Sequence, residues 1–232
     1  IFLQKAYENP IKFIQDQHDV TTLSTLITID HAEVIKKIIK KSNVMPLIVG
    51  FHGQTILHIP SKKSIQLGCG ILLSKLINNN IVYNFRSNDI KFGGQGAPIA
   101  PIYHQKIIEK LNLELPSVII NIGGISNLTY WDGEKLIGFD TGPGNNLMDY
   151  FMKIKFKKPY DNLGKIASKG QINFNLTKSF QRNIFFKKKP PKSLERQDLL
   201  KNKYLRNIML LDEKDCMATL CNLTADTIKN SF

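Results

Sequence analysis

The sequence predicts an α/β protein with mixed sheets. Three observations carry that expectation. Apolar runs of strand length at 47–51, 81–85 and 118–122 alternate with segments of helical periodicity at 30–45, at 145–153 and from 212 onward. Each apolar run ends in a polar or glycine-rich turn, and Asp132-Gly133 signals one hairpin.

The elements follow in chain order. Asp30-His31-Ala32-Glu33 has the spacing of a capping box, in which the carboxylate of Asp30 accepts from an early helix N–H and Glu33 reaches back. Val34, Ile35, Ile38 and Ile39 then recur at helical spacing with lysines on the other faces, and the helix is expected to stop before Pro46. Leu47 to Phe51 reads as a strand with His52-Gly53-Gln54-Thr55 at its carboxyl end. Ile81 to Phe85 is a second strand, leading through Arg86 and Asp89 into the loop Gly93-Gly94-Gln95-Gly96-Ala97-Pro98. Val118 to Ile122 and Thr129 to Trp131 are strands, and Lys135 to Phe139 returns antiparallel after a two-residue turn. That return is expected to carry Asp140 out of the hairpin. Asn145 to Lys153 and a segment from about Asp212 close the chain as helices. A boundary near Tyr103 to Pro116 divides the chain into residues 1–108 and 109–232.

Bulk properties exclude some functions. With 232 residues and an apolar fraction of 42%, the chain can bury an ordinary core. No apolar run reaches the ~20 residues that cross a bilayer, so no membrane partner is expected. The net charge of +13 invites a nucleic-acid reading. Lysines are nevertheless spread among Ile, Asn and Phe, and only Lys187 to Lys192 is compact, broken by Pro190-Pro191. A solvated surface is the expectation, with no nucleic-acid partner. Three cysteines without Cys-x-x-Cys spacing fit unpaired thiols in a reducing cytoplasm. His52 and His58 flank a short segment, but nothing supplies further ligands, so no metal-binding residue is assigned. Ile1 stands where a methionine would open a chain, and Phe232 ends a helical pattern without a stop signal, so the chain is expected to be cut at both ends.

The densest chemistry lies in Asn121-Ile122-Gly123-Gly124-Ile125-Ser126-Asn127 and in Asp140-Thr141-Gly142-Pro143-Gly144-Asn145. The glycine pair, two residues able to take positive φ, permits backbone N–H groups to crowd an anion; alternatively it is a tight turn before a hairpin. Asp140 between small neighbours can serve as a base toward water or a hydroxyl, or can accept bonds from its own turn. His52 and Gln54 offer donors and acceptors suited to sugar hydroxyls, or belong to a hydrogen-bonded turn. Arg86 and Asp89 either pair with each other or meet an anionic ligand. The loop at 93–98 is glycine-dense without being a Walker loop.

Taken in order, these residues resemble the anhydro-N-acetylmuramic acid kinase family. The resemblance rests on His52 to Thr55 with His58 and Pro60, Gln66-Leu67-Gly68, Phe85-Arg86 with Asp89, Gly93 to Pro98, and Pro101 with His104. It continues through Asn121 to Leu128, Asp140 to Asn145, Met148-Asp149 and Pro159-Tyr160-Asp161, with weaker similarity at Pro191-Lys192-Ser193 and Ala218-Thr219-Leu220. It implies a two-lobed fold like that of actin and hexokinase (ribonuclease H-like), here incomplete, with ATP and substrate between lobes. It also implies opening of 1,6-anhydro-N-acetylmuramic acid by water and phosphorylation of O6 by ATP with Mg²⁺, in peptidoglycan recycling, and a homodimer.

In that family Asp140 would be the catalytic base. Asn121, Gly123, Gly124, Asn127, Gly142 and Gly144 would contact phosphate, and His52, Gln54, Arg86 and Asp89 would lie on the sugar side. Two positions depart: the family commonly carries aspartate where Cys69 and Asn84 stand, which is expected to weaken substrate binding. The family's opening phosphate hairpin and its adenosine motif lie outside this sequence, so the chain alone is expected to be inactive. An inactive remnant and another sugar kinase of the same superfamily are the competing readings.

Overall fold

The computed structural model describes residues 2–194 and 196–231, which divide into two compact units, Ile1–Ala97 and Pro98–Phe232. The division falls ahead of the boundary at 108/109 expected from sequence, because the helix that would have straddled that boundary packs on the sheet of the second unit.

The first unit opens with α1 (Phe2–Glu8), α2 (Pro10–Phe13) and the long α3 (Gln17–Ser42). Asp16 caps α3 by accepting from the Asp19 N–H at 3.1 Å, so the helix begins well before the expected capping box. Asp30 to Glu33 lies in mid-helix, which corrects that expectation. In the run of Thr and β-branched residues between them, Thr21 and Thr28 donate to carbonyls four residues back. Leu23, Ile27, Thr28 and Ala32 fall on one buried face. Asn43, left-handed at φ 53°, ends the helix by donating its N–H to the Ile39 carbonyl.

Strand β1 (Val49–Phe51) pairs in parallel with β4 (Ile81–Tyr83), so the expected strands exist but are shorter than read. The residues between them form an unforeseen hairpin, β2 (Gln54–Ile59) with β3 (Lys63–Leu67), and then α4 (Gly70–Ile77). Phe85 opens α5 (Phe85–Lys91) rather than closing a strand. Two apolar clusters hold the unit: Ala6, Phe13, Leu23, Ile27, Ile56 and Leu67, and Ala32, Phe51, Leu73 and Ile77.

The second unit begins with α6 (Pro101–Lys110) and a three-stranded antiparallel sheet, β5 (Ser117–Ile122), β6 (Ile125–Trp131) and β7 (Leu136–Pro143). Parallel and antiparallel pairing thus fall in different sheets. Trp131 pairs with Leu136, so the β6–β7 turn has a four-residue loop and not the two-residue turn expected. Within Asp132-Gly133 only the glycine takes positive φ (103°), and the Asp132 carboxylate accepts from the N–H groups of Glu134 and Lys135. That side-chain turn does what a second positive φ would otherwise do.

Helix α7 (Asn146–Phe156) is followed by 3₁₀ turns at Asn162–Gly164 and Ala167–Lys169, then by α8 (Phe174–Phe180), α9 (Ile184–Lys187), α10 (Arg196–Leu200), α11 (Leu205–Met209) and α12 (Glu213–Lys229). Their core includes Leu147, Phe151, Phe180, Ile208, Met217, Leu220 and Leu223. Cys216 is buried there, which pushes its thiol pKa up to about 12; Cys221 is exposed on the same helix, and all three cysteines are unpaired. From α12, Thr224 donates to the Gly144 carbonyl at 3.0 Å, Thr219 accepts from Asn173 N–H at 3.0 Å, and Asp215 accepts from Gln171 N–H at 2.7 Å. No described helix is long and apolar enough to cross a membrane.

Candidate functional site

In the second unit the antiparallel register sets Asn121 opposite Asn127, and Asn127 opposite Asp140. Directly opposed residues of antiparallel strands share a face, so the two amides and the carboxylate form a row across the sheet, one residue from the turn at Gly123-Gly124. A register shift between Ser126 and Asn127 puts one extra residue, Thr141, into β7 beside that row. Thr141 turns inward to meet the buried Ser126 hydroxyl at 2.6 Å. Asp140 therefore sits inside a strand rather than beyond its end.

The glycine turn is stitched to the start of α7. Asn145 N–H donates to the Gly123 carbonyl at 2.7 Å, and the N–H groups of Gly144 and Asn146 donate to the Gly124 carbonyl at 3.0 and 3.1 Å. Neither Gly123 nor Gly124 takes positive φ, contrary to expectation. What the pair and its partners require is close approach: a Cβ on Gly144 would land on the Gly123 carbonyl oxygen. Gly142 and Gly144 are buried behind the turn, against α12 and the glycine pair. Gly123 differs. A Cβ there would meet nothing nearer than the Ile125 carbonyl at 3.7 Å and the Asn121 amide nitrogen at 3.8 Å. That open step beside an amide donor fits a phosphate oxygen.

The Asp140 carboxylate reaches beyond its own turn to the segment at 192–194. Its Oδ2 accepts from the Leu194 N–H at 2.8 Å, and its backbone N–H donates to the Lys192 carbonyl at 2.9 Å. Lys192, read from sequence as part of a solvated run, is half-buried with Nζ 4.8 Å from the centre of the Phe185 ring, and burial lowers its pKa. One turn into α7, burial raises the pKa of Asp149. Asp161 is structural: its carboxylate accepts from the N–H groups of Ile166 and Ala167. His104 lies against the buried Thr129 hydroxyl at 2.7 Å, with its pKa lowered by burial.

The first unit brings His52, Arg86 and Asp89 together around Gly96. Arg86 Nε donates to His52 Nε2 at 3.1 Å and Nη1 to the Gly96 carbonyl at 3.0 Å, while Asp89 Oδ2 accepts from Gly96 N–H at 2.7 Å. His52 Nδ1 lies 3.1 Å from the Gly53 carbonyl, so the tautomer with hydrogen on Nδ1 satisfies both contacts. Gln54 stands apart, donating to the Tyr7 hydroxyl. His58 lies beneath Gly96 with both ring nitrogens buried and no protein partner, and burial, then Arg86, lowers its pKa. A cleft of about 280 Å³ lined by His52, Gln66, Tyr83 and Asn84 opens in the same unit.

Both residues that depart from the family pattern make local structural contacts. Cys69 is the N-cap of α4, its Sγ accepting from Leu72 N–H at 3.4 Å. Asn84 is left-handed at φ 61°, and its Oδ1 accepts from the Ser87 hydroxyl at 2.6 Å while the residue lines the cleft. Sequence reasoning missed the contacts of Lys192 and Leu194, although Pro191-Lys192-Ser193 stood among the weaker matches to the family. Among the described residues no three His, Cys, Asp or Glu side chains converge as a metal site.

Comparisons with known proteins cover most of the chain. The family model for anhydro-N-acetylmuramic acid kinase matches residues 11–232. A protein named anhydro-N-acetylmuramic acid kinase from Rhodopseudomonas palustris is 43% identical over 210 residues, 87% of this chain and 55% of its own. The protein of that name from Pelagibacter ubique is 46% identical over 170 residues, 71% of this chain and 45% of its own. Its counterpart from Zymomonas mobilis is 35% identical over 226 residues, 95% of this chain and 60% of its own. The chain thus spans about half the length of the curated relatives it matches.

Proposed function

The chain belongs to the anhydro-N-acetylmuramic acid kinase family, and on that footing we propose that it forms part of an ATP-dependent kinase acting on 1,6-anhydro-N-acetylmuramic acid, with Asp140 as general base. The observation that carries the reading is the row Asn121, Asn127 and Asp140 beside the open glycine step at Gly123.

Asp140 takes a proton from a water whose oxygen attacks C1 of the sugar. The C1–O6 bond breaks, and O6 then attacks the γ-phosphorus as the bond to ADP breaks, giving N-acetylmuramic acid 6-phosphate. A base held by two backbone contacts loses little freedom when the water arrives. The Asn121 amide and the backbone at Gly123 and Gly124 would hold phosphate oxygens, with Asn127 next in the row and Gly142 and Gly144 shaping the turn from behind. Stabilising transferring phosphoryl charge is a large part of such catalysis. Mg²⁺ would travel with ATP, held through phosphate oxygens and water, which is its ordinary mode. His52, Arg86 and Asp89 are the sugar-side groups, Arg86 suiting the lactyl carboxylate, and Gln54 would join them. Placement in the cytoplasm, a role in peptidoglycan recycling and assembly as a homodimer belong to the same proposal.

The test is Asp140→Asn in the full-length protein, followed by ADP release and product mass. We expect turnover to fall by roughly 10²–10⁴, the range for a lost general base. Full turnover would remove Asp140 from the chemistry, and preference for N-acetylglucosamine over the anhydro sugar would make this a different sugar kinase.

A further inference from the structure

We infer that the segment Pro190 to Leu194 is a positioning strap for Asp140, with the Leu194 backbone N–H as the group that aims the carboxylate. The inference rests on the reading of Asp140 as the base and adds a residue to that site.

Two contacts bind the strap to the strand: Asp140 N–H to the Lys192 carbonyl at 2.9 Å, and Leu194 N–H to Asp140 Oδ2 at 2.8 Å. One bond holds the backbone of Asp140 and the other holds its carboxylate. The strap is itself anchored on both sides of these bonds. Leu194 packs its side chain against the helical core that includes Phe180, Leu199 and Leu205. Lys192 lies over the Phe185 ring on α9. The apolar anchor of Leu194 thus fixes where its N–H points, and the cation of Lys192 is held by an aromatic face instead of wandering in solvent.

A carboxylate bonded by a backbone N–H is favoured in its charged form and restricted in rotation. A base needs both properties: it must be deprotonated before it accepts, and its accepting lone pair must face the water. Across the strand β6 presents the neutral Asn127.

The test deletes the donor and keeps the fold. In the full-length protein the peptide N–H at 194 is replaced by an ester oxygen with the leucine side chain retained, alongside Leu194→Pro, and Leu194→Ala serves as the variant that keeps the donor. We expect the ester and Leu194→Pro proteins to lose about tenfold in kcat, as for a hydrogen bond to a charged group, with KM for the anhydro sugar within about twofold. Their Asp140 carboxyl, followed by ¹³C NMR, should titrate at higher pH than in the parent. Leu194→Ala, which keeps the donor but loosens its anchor, should lose stability and change both quantities less than the ester does. An ester protein whose Asp140 titrates like the parent overturns the strap. Titration that moves while kcat stays at the parent value leaves the strap as a clamp on this carboxylate and strikes out the base assignment instead.

Discussion

Arg86 grips His52 through Nε at 3.1 Å while its Nη1 holds the Gly96 carbonyl at 3.0 Å. Asp89 takes the N–H of the same glycine, so one loop residue is held at both of its backbone polar groups. Two of the sugar-side candidates, Arg86 and Asp89, are thus bonded to the glycine-dense loop.

Removing one grip should loosen the loop selectively. Asp89→Ala is expected to speed amide exchange at Gly96 by roughly tenfold, corresponding to a lost hydrogen bond to a charged group. Asp89→Asn keeps an acceptor and should exchange nearly as the parent. Equal exchange in the parent and Asp89→Ala would mean that this bond does not govern the loop.

Cys69 caps α4 with a weak sulfur acceptor. Cys69→Asp puts a carboxylate at the same N-cap, where it bonds more strongly and complements the helix dipole. Stability should rise by about 0.5–1 kcal/mol in urea unfolding, with KM for the sugar unchanged. A drop in stability would show that the thiol is kept for some other reason.

Two neighbouring glycines should respond oppositely to a methyl group. Gly144→Ala drives Cβ onto the Gly123 carbonyl oxygen, in a place where backbone meets backbone and cannot yield. A loss at the upper end of about 1–3 kcal/mol is expected. Gly123→Ala meets nothing within 3.5 Å and has no positive φ to strain, its nearest neighbour being 3.7 Å away. It should fold like the parent and raise KM for ATP, because the methyl fills the open step. If Gly123→Ala leaves KM for ATP unaltered, phosphate does not rest there.

Stability should also fall in mild acid. The imidazoles of His58 and His104 are held below their ordinary range by burial, with Arg86 adding to the effect at His58. Below the unfolded value of about 6.5 the unfolded chain takes protons that the folded chain refuses, so stability decreases with pH down to the lowered folded values and levels off beyond them. Urea midpoints compared at pH 7.5 and 5.5 should differ less in His58→Gln than in the parent. An identical pH dependence in both proteins would clear His58 of any part in it.

Much of this was legible beforehand, for identifiable reasons. The strand at Val118 to Ile122 and the return through Phe139 follow from apolar runs bounded by glycine, but the row through Asp140 was not legible, because the four-residue loop sets Trp131 opposite Leu136 where a two-residue turn would have paired it with Glu134. The hairpin of Gln54–Ile59 with Lys63–Leu67 was not legible. Its turn runs through Ser61, which takes a left-handed φ of 58° without the glycine or asparagine that marks such turns. The start of α3 was hidden by Val20 to Ile29, whose branched residues suit a strand as well as a helix, while Asp30 to Glu33 imitated a cap. In the site, residue types announced Asp140 and the asparagines. The donor on that aspartate belongs to the backbone of Leu194, and a peptide N–H leaves no mark in the letters of a sequence.

The three polar anchors of α12 share a single rod. Thr224 ends at the Gly144 turn, whereas Thr219 and Asp215 end at the loop before α8. A slide of that rod by one residue along its axis would break all three attachments together, since each depends on the same rotation and rise. The floor beneath the glycine turn therefore sits at one height or loses its footing altogether, with no graded positions between.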